Sequence, residues 1–171
     1  MKRLAYLLPV LILLVAFVPG TGVFTNLTIT GDHSFNTPYA EMYDNTGIVT
    51  SITPNDVYYT ITGFTTGLNN EVTVDDSIFT ITKAGVYRVS MNQAFISSNN
   101  SMVCHVSVFV DDVESQIESE RKMGTSSDVG SSSSGGLLSL AVGEVVKLKA
   151  KANSGTTITF QHINFVINKI N

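Results

Sequence analysis

The feature that most constrains this chain is a series of short segments, beginning after residue 20, in which apolar and polar residues alternate. These segments are separated by Gly, Pro, Asn and Asp, and no stretch there has the spacing of an amphipathic helix. The strongest segment is residues 86–96, whose apolar residues share one face with Gln93: Tyr87, Val89, Met91 and Phe95. About ten such segments at regular spacing predict an all-β sandwich or barrel.

The composition sets the size and excludes one class of partner. A chain of 171 residues fits one domain plus a short extra segment, and its single cysteine, Cys104, allows no intrachain disulfide. The formal net charge of −4 argues against nucleic-acid binding, because the basic residues form no run. Lys147, Lys149 and Lys151 alternate along one strand and indicate a solvated face. Residues 126–136, rich in Ser and Gly, indicate a surface loop or a polar strand.

The first twenty residues have the pattern of an export signal. Met1, Lys2 and Arg3 precede an uncharged, mostly apolar run over residues 4–18, and small residues follow. The run is short for a bilayer span, which needs about 20 apolar residues. We therefore expect a cleaved signal peptide or an uncleaved anchor over residues 1–20, a strand and linker over 21–37, and a domain over 38–171. The expected location is extracellular, with membrane contact only through the first segment.

Few residues suggest chemistry at an active site. Cys104 continues an apolar alternation, and His105 falls on the opposite strand face, so no base is placed to activate the thiol. His33, His105 and His162 have no spacing typical of metal ligands. No nucleophile elbow, phosphate loop or zinc motif is present. We therefore predict no catalytic residues, no cofactor and no enzymatic activity.

Two pairs of aspartates are the only candidate metal ligands. Asp75 and Asp76, and likewise Asp111 and Asp112, could contribute carboxylates to a calcium site. Turn chemistry explains both pairs without a metal, because Asp is favoured where the chain reverses between strands. The second pair fits a two-residue hairpin turn. Neither pair is therefore assigned as a metal site.

Three spaced motifs in residues 64–170 resemble the superfamily of tumour necrosis factor and the complement globular heads. Residues 84–90 (AGVYRVS) look like its Gly-x-Tyr-x-Val/Phe-Ser strand, and residues 108–113 (VFVDDV) look like its apolar strand and hairpin. Residues 134–148 (SGGLLSLAVGEVVKL) look like its Leu-x-x-Gly-Asp-x-Val-x-Leu signature, with Glu144 in place of Asp. The resemblance implies a two-sheet jelly roll of about ten strands, which is usually a homotrimer and carries no catalysis.

The closing strand carries more apolar residues than one buried face needs. Alternation places Ile158, Phe160 and Val166 on one face and puts a second group on the other: Ile163, Phe165 and Ile167. Either a bulge switches the faces, or the second face is buried against another subunit. In the resembled superfamily, aromatics of the inner sheet pack around a three-fold axis. That likeness implies an oligomer interface with these candidate residues: Tyr39, Tyr43, Tyr87, Phe160 and Phe165.

The leading functional hypothesis is a homotrimeric jelly-roll knob that binds an unidentified protein or glycan through its loops. One alternative is an extracellular filament assembled by strand addition through residues 23–30, an alternating segment ahead of the domain. Its apolar residues would enter the neighbouring subunit: Val23, Phe24, Leu27 and Ile29. A second alternative is a virion surface protein, because residues 39–43, 121–124 and 128–131 look like phage and viral jelly rolls. A hydrolase is the weakest hypothesis, since no acid–base pair can be named.

Overall fold

The computed structural model describes residues 37–126, 128–155 and 157–170. These residues form twelve β-strands, numbered here in chain order: β1 Tyr39–Asp44, β2 Ile48–Ser51, β3 Tyr59–Thr60, β4 Thr65–Asn70, β5 Val72–Asp75, β6 Ile78–Ile81, β7 Gly85–Ser97, β8 Val103–Val110, β9 Val113–Lys122, β10 Gly130–Leu140, β11 Val145–Ala152 and β12 Thr157–Lys169. The sequence predicts about ten strands; the polar strand β4 is one that its alternation does not reveal.

The strands form two antiparallel sheets. In the first sheet the order is β10-β7-β12-β1-β4, and β2 also pairs with β12. In the second sheet the order is β5-β6-β11-β8-β9, and β3 also pairs with β11. Each sheet buries alternate residues against the other. The predicted all-β jelly-roll sandwich is therefore confirmed.

The core contains the residues that the alternation of β7 and β11 predicts. Tyr87, Val89, Met91 and Phe95 are completely buried. Gln93 shares their face, and its Nε2 atom donates hydrogen bonds to Ser119 Oγ (2.6 Å) and Ser132 Oγ (2.8 Å). These bonds satisfy the amide nitrogen, but Gln93 Oε1 is buried without a partner among the described residues, and an unpaired polar group in the core costs roughly 1–3 kcal/mol.

The Ser- and Gly-rich segment is a strand, as one of the two interpretations of residues 126–136 predicts. Strand β10 begins at Gly130 and pairs with β7 along its whole length. Small residues are required where β10 approaches β9, because a Cβ atom at Gly136 would lie only 3.0 Å from Ile117 Cγ1. Composition alone does not separate a flexible linker from an edge strand that packs closely on its neighbour.

A β-bulge explains the two apolar faces of the closing strand. Phe160 pairs with Phe95, but His162 pairs with Ala94, so Gln161 is an extra residue in β12. The register shift turns both halves of the strand toward one core, which contains five of its apolar side chains: Ile158, Phe160, Ile163, Phe165 and Ile167. The bulge, and not a second subunit, accounts for this apolar surplus.

Candidate functional site

Three of the five predicted interface aromatics are core residues of a single chain. Tyr87, Phe160 and Phe165 have no exposed surface, so the prediction that they form an oligomer interface is wrong. Phe165 stacks on Phe79 of the opposite sheet, and Phe160 packs against Phe95. Tyr39 and Tyr43 remain candidates, because both lie on the outer face of the first sheet.

The four predicted calcium candidates lie at turns, where their carboxylates accept hydrogen bonds from backbone amides or lysines. Asp75 Oδ1 accepts from Asp76 N, and Asp76 Oδ1 accepts from Gly63 N. Asp111 and Asp112 form the β8–β9 hairpin with φ angles of 47° and 66°, the left-handed pair that a tight hairpin turn requires. Within residues 37–126, 128–155 and 157–170, no group of three or more His, Cys, Asp or Glu residues could hold a metal ion.

Cys104 is a buried thiol within β8. Burial raises its pKa to about 12, so almost none of it is thiolate at neutral pH. It packs in the core with Val106 and Val108, as the alternation predicts.

The outer face of the second sheet is a network of paired polar side chains. Asp112 Oδ1 accepts from Lys149 Nζ (2.7 Å) and Lys147 Nζ (2.9 Å). These hydrogen bonds lower the pKa of Asp112 to about 2. His105 Nδ1 lies 2.7 Å from Glu118 Oε1. The predicted lysine face is therefore an outer face, but two of its lysines are held by one carboxylate.

Tyr58 lies at the centre of this network. Its hydroxyl donates to Glu114 Oε1 (2.6 Å) and lies 2.8 Å from Ser107 Oγ, which also donates to Glu114. Burial and the bond to Glu114 raise the pKa of Tyr58. Burial also raises the pKa of Glu114, but the hydrogen bonds from Tyr58 and Ser107 outweigh it and hold that pKa below its usual value. Ser107 is completely buried, so its hydroxyl supports the network from the core side and is not exposed to solvent.

We expect Tyr58→Phe to destabilise the domain by about 1 kcal/mol near neutral pH, because Glu114 loses a hydrogen bond. A carboxylate with a lowered folded-state pKa stabilises the protein above its unfolded pKa of about 4.3, and this contribution is lost as the pH falls. The difference between wild type and variant should therefore shrink between pH 6 and pH 3, as measured by urea unfolding. Tyr59→Phe is the matched control, since within the described residues its hydroxyl bonds only the Pro54 carbonyl, at 3.3 Å. The same pH dependence in both variants would contradict this assignment.

At the end of the first sheet where β1 begins, exposed apolar side chains lie on the outer face around two polar residues, Arg88 and Asn168. Leu137, Arg88, Asn168 and Tyr39 form one cross-strand row over β10, β7, β12 and β1. Ile170 lies beside Val86, whose carbonyl accepts from Ile170 N. Leu137, Ile170 and Tyr39 are 51%, 47% and 41% exposed. We call these three residues, together with the half-buried Val86, the Tyr39 patch.

The other end of the same face forms an open concavity of about 760 Å³. Its floor includes Ala94, and hydrogen-bonding side chains surround it: Glu41, Tyr43, Asn92, Ser131, Ser133, His162 and Asn164. We call it the His162 concavity. Glu41 Oε1 accepts from Asn164 Nδ2 at 2.6 Å. Gly67 makes room for this carboxylate, because a Cβ atom there would lie 2.7 Å from Glu41 Oε2.

Neither the Tyr58 network nor the His162 concavity is predicted from the sequence. Alternation places Asn92 and Asn164 on an outer face, but only the strand register makes them neighbours. The four residues of the proposed inter-subunit strand lie outside the described residues: Val23, Phe24, Leu27 and Ile29. The filament and virion hypotheses therefore stay predictions, as do the boundaries at residues 20 and 37. In the part of the chain that the structure describes, no helix is long and apolar enough to cross a bilayer.

The strand order and the two-sheet packing define a jelly roll of the tumour necrosis factor-like type, as the motif resemblance implies. Similar solved structures include murine APRIL, with 17% identity over 78% of this chain and 99% of that chain (TM-score 0.54). Eiger TNF from S. frugiperda is 13% identical over 80% of this chain and 94% of that chain (TM-score 0.57). No protein-family model matches the sequence, and no curated protein is significantly similar to it. The chain thus has the tumour necrosis factor-like jelly-roll fold.

Proposed function

We propose that this chain is a non-enzymatic jelly-roll module that assembles with copies of itself and binds a partner outside the cell. The Tyr39 patch is the observation that supports self-assembly. It places exposed apolar side chains on the outer face of the first sheet. Tyr and Arg are both enriched in protein interfaces, and Arg88 lies in the same row as Tyr39. The motif resemblance adds the expectation of three copies.

The contrast between the two outer faces supports the choice of the first sheet. The second sheet presents charged side chains that are already paired: Lys147 and Lys149 with Asp112, and Glu118 with His105. Depletion of charged residues is typical of the core of an interface, and burying a charged face would be costly. The outer positions of the first sheet are mostly Ser, Asn and apolar residues. The extracellular location rests on the signal-like pattern of residues 1–20.

Sedimentation velocity tests the assembly. We expect the wild-type chain to sediment as a trimer and Leu137→Lys to weaken association at least about tenfold, because a buried lysine would lack a partner. Val113→Lys is the matched control, since Val113 is exposed to 69% but lies on the second sheet. A monomeric wild type would refute self-assembly. A Leu137→Lys variant that still forms trimers would refute the role of the Tyr39 patch.

A further inference from the structure

The loop between β7 and β8 carries an acceptor motif for N-linked sugars. The sequence contains two Asn-x-Ser/Thr triplets whose middle residue is not Pro, at residues 26–28 and 99–101. The first lies outside the described residues. The second, Asn99-Asn100-Ser101, falls between Ser97, where β7 ends, and Val103, where β8 begins. All three of its residues are exposed, and we call them the Asn99 triplet.

Hydrogen bonds to the neighbouring loop fix the path of the chain through the Asn99 triplet. The backbone amide of Ser101 donates to the Gly124 carbonyl at 3.1 Å. The side chain of Asn100 accepts from Ser126 N at its Oδ1 atom, at 2.8 Å. Of the two adjacent asparagines, Asn100 therefore holds the loop in place. Asn99 precedes it and is presented at a fixed position on the surface.

The side chain of Asn99 keeps the atom that N-glycosylation requires. Its Oδ1 atom accepts from Asn100 N at 3.1 Å. Among the residues that the structure describes, no hydrogen bond involves Asn99 Nδ2 or Ser101 Oγ. Glycosylation replaces one hydrogen of Nδ2 and leaves the carbonyl oxygen of the amide as an acceptor. The bond from Asn100 N is therefore compatible with a sugar on the same side chain.

The Asn99 triplet is far from the surface proposed for self-assembly. Val86 of the Tyr39 patch and Asn99 lie at opposite ends of β7, about 40 Å apart along the strand at roughly 3.3 Å per residue. The triplet also follows the end of β7, so it lies on the outer face of neither sheet. A bulky, hydrated group at Asn99 therefore leaves the Tyr39 patch uncovered.

We infer that Asn99 is an N-glycosylation site. The co-substrate is an oligosaccharide joined to a lipid carrier through pyrophosphate, and a transferase of the export pathway catalyses the transfer. A bond forms between Asn99 Nδ2 and the first carbon of the sugar, while the bond from that carbon to the pyrophosphate oxygen breaks. The pyrophosphate leaves with the electron pair of the broken bond, and Nδ2 loses one proton. The Ser101 hydroxyl belongs to the motif that the transferase recognises.

This inference rests on export of the chain, which is part of the proposed function, and not on self-assembly. The signal-like pattern of residues 1–20 is the feature that brings the chain to the compartment of the transferase. A sugar on an exposed loop also agrees with a module that works outside the cell, because N-linked sugars are solubilising surface groups. Secretion and glycosylation are measured on the same sample, so failure of one is distinguished from failure of the other.

The test is expression of the full chain, with its own residues 1–20, in a eukaryotic cell line that glycosylates exported proteins. Trypsin releases residues 89–121 as one peptide, because no Lys or Arg lies between Arg88 and Arg121, and this peptide contains only the second triplet. We expect mass spectrometry of the secreted protein to find a sugar on most of this peptide, which peptide N-glycosidase F removes. Secretion with this peptide unmodified would overturn the inference alone. Retention of the chain in the cytosol would overturn both the inference and the proposed export.

Variants of the triplet assign the modified residue. Asn99→Gln should remove the sugar from residues 89–121, and Ser101→Ala should reduce its occupancy at least about tenfold, because each breaks the motif. Asn100→Gln is the matched control, since it retains the motif and should keep occupancy within about twofold of wild type. All three positions are exposed, so the variants should be secreted in similar amounts. A sugar that persists on this peptide in Asn99→Gln would place the modification on another residue and overturn the inference.

Discussion

Deleting Gln161 is expected to abolish cooperative folding of the domain. The deletion removes the bulge, so the residues after it shift by one position and turn to the opposite face of the sheet. Three buried side chains would then point outward: Ile163, Phe165 and Ile167. Asn164 and Asn168 would point into the core in their place. The combined loss of apolar burial and the burial of amides costs on the order of 5–10 kcal/mol, which matches the whole stability of a typical domain.

The position of β12 makes this effect global. It pairs with β7 and β1 along its length and with β2 at its beginning, so a slip cannot be confined to an edge. Far-UV circular dichroism and thermal unfolding measure the outcome, and no cooperative transition is expected. Gln161→Ala is the control, because it retains the extra residue and should change stability by less than about 1 kcal/mol. A deletion variant that melts cooperatively near the wild-type temperature would show that the bulge does not set the faces.

The closing strand also shows how far sequence alone predicts this fold. Its apolar residues on both faces are a real signal, and the bulge is one of the two explanations that periodicity allows. Periodicity cannot distinguish a bulge from a second subunit, because both predict the same pattern of apolar residues in the sequence. The two explanations differ in whether Phe160 and Phe165 pack in the same core of one chain. Only the pairing of β12 with β7 establishes that they do.

Strands with a strong buried face are predictable, and edge strands are not. In β7 and β11, the core imposes alternation, because every second side chain must exclude water. Strand β4 (TTGLNN) lies at the edge of its sheet, and none of its residues is fully buried. Such a segment has no buried face that requires alternating apolar residues, so its sequence resembles that of a loop. The same reasoning explains why β10 resembles a linker.

The candidate sites depend on strand register, which alternation does not specify. Asn92 and Asn164 are 72 positions apart in the sequence but are directly paired on the adjacent strands β7 and β12. Tyr58 reaches Glu114 across β8 because β3 pairs with β11 at the surface of the second sheet. Sequence reasoning places each residue on an inner or outer face. It does not show which side chains of different strands lie next to each other, and a functional site depends on that arrangement.

Phe165→Ala is expected to destabilise the single chain by about 3–5 kcal/mol, the usual cost of removing a buried phenyl ring. The ring stacks on Phe79 with centroids 4.9 Å apart and an angle of 27° between the planes. Phe165 belongs to the first sheet and Phe79 to the second, so their contact joins the two layers. The variant leaves a cavity between the sheets, and rigid strands on both sides limit its collapse.

Tyr39→Ala provides the matched comparison, because Tyr39 is a candidate for the same predicted interface but is 41% exposed. It should leave the free energy of unfolding of the monomer within about 0.5 kcal/mol of wild type and should weaken self-assembly. Urea unfolding at protein concentrations low enough to give monomers separates the two effects, since assembly itself adds to apparent stability. If Phe165 belonged to a subunit contact, Phe165→Ala would leave the monomer's stability unchanged and alter only the concentration dependence of unfolding. The buried position in one chain requires the opposite: a large loss of stability that persists at every protein concentration.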